Sequence, residues 1–105
     1  MTFRAYSADY LPWAQAHKRG WKSDRTIISA VLPVLGERRL DEITTADVER
    51  FRDSLVPRRS RATANRYRDG LSGMFRRAIR LGLLDVNPVK GVPKFREGKG
   101  RVLYF

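Results

Sequence analysis

Residues 60–88 read SRATANRYRDGLSGMFRRAIRLGLLDVNP. Ala64, Tyr67, Leu71, Met74, Phe75, Ala78 and Leu81 recur at spacings of three and four, which predicts one apolar stripe along an α-helix turned toward a core. Ser60 follows the breaker Pro57 and is placed to accept a backbone N–H as an N-cap. Gly82 follows the last periodic residue as a C′ glycine would. Arg58, Arg59, Arg61, Arg66, Arg68, Arg76, Arg77 and Arg80 are opposed only by Asp69, so residues 58–80 carry a formal charge of +7. Solubility alone requires far fewer cations on one helix.

Around that stretch, 105 residues suit a single small domain, and 42% hydrophobic content with two Trp, five Phe and four Tyr can fill a core. A net charge of +11 calls for a polyanionic partner, nucleic acid first and an anionic membrane surface second. No run approaches the roughly 20 apolar residues that span a bilayer, and the N-terminus lacks the apolar segment of a signal peptide. A soluble, intracellular protein is expected. The absence of cysteine excludes disulfides, thiolate chemistry and cysteine zinc sites, and a single histidine gives metal binding no support. No cofactor is expected.

The remaining elements also read as helices. Residues 2–17 place Phe3, Tyr6, Tyr10, Trp13 and His17 on one face behind an N-cap at Thr2, with a kink expected near residues 8–12 because Pro12 removes a helical N–H. His17 reads as a core-edge or capping residue, and Trp13 and Trp21 as core. A second helix carries Ile27, Ile28, Val31, Leu32 and Leu35, with Ser23 as its expected cap and Asp24 complementing the helix dipole. Its polar face shows Lys22, Arg25, Thr26 and Ser29. Ile43-Thr44-Thr45-Ala46-Asp47-Val48 is a capping-box and hydrophobic-staple pattern that opens a third helix with Val48, Phe51 and Leu55 inward. After the fourth helix, Leu83, Leu84 and Val86 are expected to cover the core, with Asn87-Pro88 turning the chain. Residues 90–101 read as a basic linker, and Val102-Leu103-Tyr104-Phe105 as the first strand of a further domain. The expected organisation is an all-α bundle over 1–89 and a linker tail over 90–105.

Charge is segregated along this chain. Residues 41–57 carry −3 against +4 for 1–40 and +3 for 81–105, so an anion should approach the second and fourth helices. Arg61, Asn65, Arg68, Ser72 and Arg76, at spacings of 4, 3, 4 and 4, line one flank of the fourth helix. Arginine clamps phosphates or reads guanine, and asparagine pairs with adenine. Gly70 and Gly73 read as points of close helix–helix approach. No nucleophile elbow, phosphate loop or paired catalytic carboxylates occur. A freestanding helical DNA-binding regulator and a basic protein-interaction domain stand as alternatives.

Taken together, Leu35-Gly36, Leu40-x-x-Ile43-Thr44-x-x-Asp47-Val48, Ser60-x-x-Thr63-x-Asn65-Arg66, Phe75-x-x-Ala78 and Gly82-x-Leu84-x-x-Asn87-Pro88-Val89 resemble the core-binding domain of tyrosine recombinases, the phage integrase family. The resemblance covers nearly the whole chain. It implies a SAM-like bundle of four to five helices, cytoplasmic, that precedes a catalytic domain and closes with it on double-stranded DNA, neighbouring protomers being further partners. It places DNA contacts on Thr63, Asn65 and Arg66 and on Lys22, Arg25 and Ser29, to which charge adds Arg58, Arg59, Arg61, Arg68 and Arg76. The family's catalytic arginine, lysine, His-x-x-Arg pair and nucleophilic tyrosine belong to the domain that follows, and Tyr104 lacks arginines arranged around it. The implied chain is therefore a non-catalytic fragment.

Overall fold

Thr2 opens the chain's first helix as expected: its hydroxyl accepts the Ala5 N–H at 3.1 Å, and α1 runs Phe3–His17. In the computed structural model, which describes residues 1–96, α2 follows over Trp21–Leu35, α3 over Thr45–Leu55 and α4 over Arg61–Arg80. Short 3-10 turns at Leu40–Glu42 and Pro88–Gly91 complete the path. The N-terminus is pinned to the α2–α3 connector, where the Phe3 N–H donates to Arg38 O and the Leu40 N–H to Met1 O, both at 2.9 Å.

The capping box of α3 forms as its sequence predicts. Asp47 N–H donates to the Thr44 hydroxyl at 3.1 Å, and Thr44 N–H donates to the Asp47 carboxylate at 3.0 Å. The Thr44 N–H, helped by Arg38 and Arg50, holds the Asp47 carboxyl below its ordinary range. Ser60 caps α4 by accepting Thr63 N–H at 3.1 Å, and Gly82 takes the left-handed φ of +77° just beyond the end of α4. The second helix departs from expectation. It begins at Trp21 behind Gly20, with no side-chain cap, so Ser23 lies inside the helix. Pro12 does not end α1: Ala8 and Pro12 are both exposed, which leaves the orphaned Ala8 carbonyl on the solvent side.

The predicted stripes meet in one core. Phe3, Tyr6 and Tyr10 of α1, Ile27, Ile28 and Val31 of α2, Val48 and Phe51 of α3, and Leu71, Met74 and Phe75 of α4 are all buried. Tyr6 locks α1 to α4 by donating its hydroxyl to Met74 O at 2.7 Å, and burial pushes its phenol upward, so it stays a donor. The ends of the stripes diverge from the sequence pattern. Leu81 and Val86 are exposed, Trp13 and Trp21 are half-buried, and exposed His17 stacks on Trp13 at 5.1 Å while its Nδ1 bonds Trp13 O.

The two mid-helix glycines of α4 differ. A Cβ on Gly70 would collide with Ile27 Cδ1, so this glycine sets the close approach of α2 to α4. A Cβ on Gly73 would meet only an Arg76 guanidinium nitrogen, at an ordinary 3.6 Å. Gly73→Ala should therefore raise stability by about 1 kcal/mol through helix propensity, a gain of several degrees in thermal denaturation. At Gly70 the same change should yield no gain, because Ile27 must move. Equal shifts at the two sites would contradict this assignment.

Packing continues past the predicted boundary at residue 89. Val92 is fully buried, and Phe95 packs partly buried against the core, so the body extends at least to Phe95. Lys90, Gly91 and Lys94 give the same segment the linker-like composition read from sequence. The expected strand at Val102–Phe105 lies outside the described residues.

Candidate nucleic-acid interface

Two polar flanks border the buried stripe of α4, and the structure uses them differently. The flank read from sequence as the DNA-facing row, Asn65, Arg68 and Ser72, receives the segment after the helix. Asn65 is 3% exposed and its carboxamide bonds the Phe95 backbone. The Arg68 guanidinium donates to Val92 O at 2.7 Å and pairs with Asp69 at 3.0 Å. Ser72 accepts from Asn87 Nδ2 at 3.1 Å. Buried Asn65 and half-buried Arg68 thus spend these donors on the backbone of the following segment. Arg61 and Arg76, at the two ends of that row, are exposed.

The other cations around α4 are presented outward. Arg58, Arg59, Arg61, Arg66 and Arg80 are exposed, and Thr63 is half-buried with its hydroxyl 3.0 Å from Ser60 Oγ. Arg59 lies over the Tyr67 ring at 5.3 Å and Arg61 over Phe95 at 5.9 Å, contacts that steady the guanidinium groups while leaving their N–H edges available. On α2, Lys22, Arg25 and Ser29 share the exposed face. Lys22 and Arg25 lie 5.9 and 5.3 Å from the Trp21 ring. Ser29 donates its hydroxyl to Arg25 O at 3.0 Å, which leaves its lone pairs outward.

Ion pairing divides the cations sharply. Arg4, Lys18, Arg38, Arg39, Arg50, Arg52, Arg68 and Lys94 each sit against a carboxylate. Among the described residues, Lys22 and Arg25 of α2, Arg58, Arg59, Arg61, Arg66, Arg76, Arg77 and Arg80 on and before α4, and Arg19, Lys90 and Arg96 outside both helices have no such partner. Their field is uncompensated, the condition under which a surface attracts phosphate. Sequence reading undervalued Arg77 and Arg80. With Lys18, Arg76, Trp13 and Tyr10 they line a cleft between α1 and α4, and Arg77 stacks 4.2 Å over Trp13. A basic turn at Lys18-Arg19 was visible in the sequence, but only folding brings it beside the end of α4.

Among the described residues, no group of three His, Asp or Glu side chains could hold a metal ion, and no helix is long and apolar enough to cross a membrane.

Among the described residues, an all-helical domain thus gathers most of its unpaired cations on and just before two neighbouring helices. Its family is then fixed by sequence: residues 3–94 match the phage integrase central domain, and the chain belongs to that family, the core-binding type of domain in tyrosine recombinases. The fold is shared with a lambda integrase fragment, residues 75–356, solved as a dimer bound to a COC′ core site, at a TM-score of 0.85 and 22% identity over 94% of this chain and 36% of that one. A second lambda integrase structure of the same residues bound to DNA gives a TM-score of 0.81 at 22% identity, covering 94% of this chain and 35% of the other. This chain thus spans about a third of the solved chains it resembles. No curated protein sequence matches it.

Proposed function

We propose that this chain is the DNA-binding core-binding domain of a phage-type integrase, gripping the recombination core site through the outer faces of α2 and α4. Lys22, Arg25 and Ser29 supply the α2 contacts, and Arg58, Arg59, Arg61, Thr63, Arg66 and Arg76 those of α4. Asn65 and Arg68 act behind this surface by holding its frame. The observation that carries the proposal is the concentration of unpaired, exposed cations on these two helices while every cation of α3 is matched by a carboxylate. Lambda integrase, whose fold the chain shares, was solved on DNA.

In this role the domain supplies grip and register and leaves strand cleavage to a catalytic domain in the same parent chain. Neighbouring protomers assemble alongside it on DNA in the cytoplasm. The N–H groups at the start of α4, near Arg61 and Ala62, add a dipolar site for one phosphate oxygen. Titration of a fluorescent duplex by the chain at several salt concentrations tests the proposal. Contact with about five phosphates gives a plot of log affinity against log salt with a slope of about −4.5. A slope near zero would overturn the phosphate-gripping reading, and equal affinity for heparin and duplex DNA would instead identify a non-specific polyanion binder.

A further inference from the structure

The described chain beyond α4 forms one short 3-10 turn and no ladder, so its backbone carbonyls need donors from elsewhere. Side chains of α3 and α4 provide them in sequence order. Arg68 donates to Val89 O at 3.3 Å and to Val92 O at 2.7 Å, Arg52 to Pro93 O, and Asn65 Nδ2 to Phe95 O at 2.8 Å. Asn65 also accepts the Phe95 N–H on Oδ1 at 2.8 Å. A carboxamide that both donates to and accepts from one residue copies the peptide group of a neighbouring strand. At 3% exposure, Asn65 meets little competition from water for this pair. Below the segment, Val89 and Val92 are fully buried, while the Phe95 ring lies 4.2 Å from the Arg52 guanidinium and 5.9 Å from that of Arg61.

We propose that Asn65 is a positioning residue whose carboxamide latches the chain's exit onto the N-terminal half of α4, so that Phe95 leaves the domain at one fixed point beside Arg61. Arg68 and Arg52 are auxiliary catches, each closing on a carbonyl before it. Resting on the proposed DNA reading in this one respect, the latch also fixes Phe95 against the gripping face, because Asn65, Arg61 and Arg66 occupy the same two turns of helix. No other side-chain type at 65 serves as well. Asp keeps the acceptor but loses the donor, and Ala leaves a Phe95 peptide unpaired.

Amide hydrogen exchange on the isotopically labelled 105-residue chain tests the latch without DNA. In Asn65→Ala, exchange at the Phe95 amide should accelerate at least about tenfold, while the core amides of Val48 and Leu71 keep wild-type rates. Asn65→Asp should restore much of the protection at Phe95, because the carboxylate still accepts that N–H. Unchanged exchange at Phe95 in Asn65→Ala overturns the proposal. So does equal acceleration at Val48 and Leu71, which would make Asn65 a general stabiliser of the bundle. Duplex titration of the wild-type chain is read separately: its failure removes the DNA reading, and the Phe95 comparison still decides the latch.

Discussion

Replacing Arg25, Arg61 and Arg66 together by alanine should weaken binding to duplex DNA by about 100-fold or more near 0.1 M salt and flatten the salt dependence by about 2.7 in slope, about 0.9 for each phosphate contact removed. The matched control is Arg4, Arg39 and Arg50 to alanine. It removes the same three positive charges from the net +11, and all three residues are exposed, yet each pairs with an acid: Glu37, Asp41 and Asp47 respectively. Because the control arginines lie outside α2 and α4, and exposed charges more than about 10 Å apart are largely screened near 0.1 M salt, removing them should change affinity only a few-fold. Equal losses in the two variants would mean that DNA senses net charge and that no particular face is used. The comparison excludes Arg52 and Arg68, which sequence alone would place in the control and test sets. Arg52 is buried and Arg68 half-buried, each donating to backbone carbonyls, so their loss would disturb the fold before any contact with DNA could be read.

Residues whose partners are near in sequence were legible before the fold. The α3 capping box joins positions three apart, and the stripe of α4 repeats every three or four. Both rest on helical geometry alone, and both stand in the structure. Gly70 was also legible, as a helix-packing glycine. Its neighbour Gly73 shares the same local sequence signal but has only an Arg76 guanidinium nitrogen at ordinary contact distance, so tertiary context separates the two.

Asn65 and Arg68 show what local reading leaves out. Their spacing along the helix is that of a DNA-reading row, and helical periodicity places them correctly on one flank. What occupies that flank is a segment 21 to 30 residues later, and nothing in the helix's own pattern announces it. The segment's Lys and Gly content argued for a linker. Yet two valines, with arginine and asparagine donors from other helices, were enough to dock it. The electrostatic partition does not depend on these two residues, because it is a sum over whole helices. Transferring two residues from the surface to the frame leaves seven unpaired arginines around α4.

Substituting Asp24 should be among the most destabilising single changes in the domain. Asp24 reads in sequence as an ordinary acid near a helix start, where it complements the dipole. In the structure it is 5% exposed and accepts two hydrogen bonds on Oδ2, from the buried Tyr10 hydroxyl at 2.7 Å and from Lys18 Nζ at 2.8 Å. The triad joins α1, the α1–α2 turn and α2 at the floor of the basic cleft. Burial and the adjacent carboxylate push the Tyr10 phenol well above its ordinary value, so it remains a donor throughout the physiological range. Asp24→Ala strands that hydroxyl in a dry site, at a cost of about 1–3 kcal/mol, and leaves Lys18 unpaired. The Lys18 side chain is 38% exposed, and solvent screening holds the ionic part below the roughly 3–5 kcal/mol of a fully buried pair. A total of about 2–3 kcal/mol lowers the thermal midpoint by on the order of 10 °C for a domain of this size. Asp24→Asn should cost less than half as much, because its carboxamide oxygen still accepts from Tyr10 while only the charge toward Lys18 is lost. Thermal denaturation followed by circular dichroism measures both. A midpoint for Asp24→Ala within about 2 °C of wild type would show that the triad contributes nothing net. An Asn variant as unstable as the Ala variant would place the stabilisation in the ion pair with Lys18 and remove it from the hydrogen bond with Tyr10.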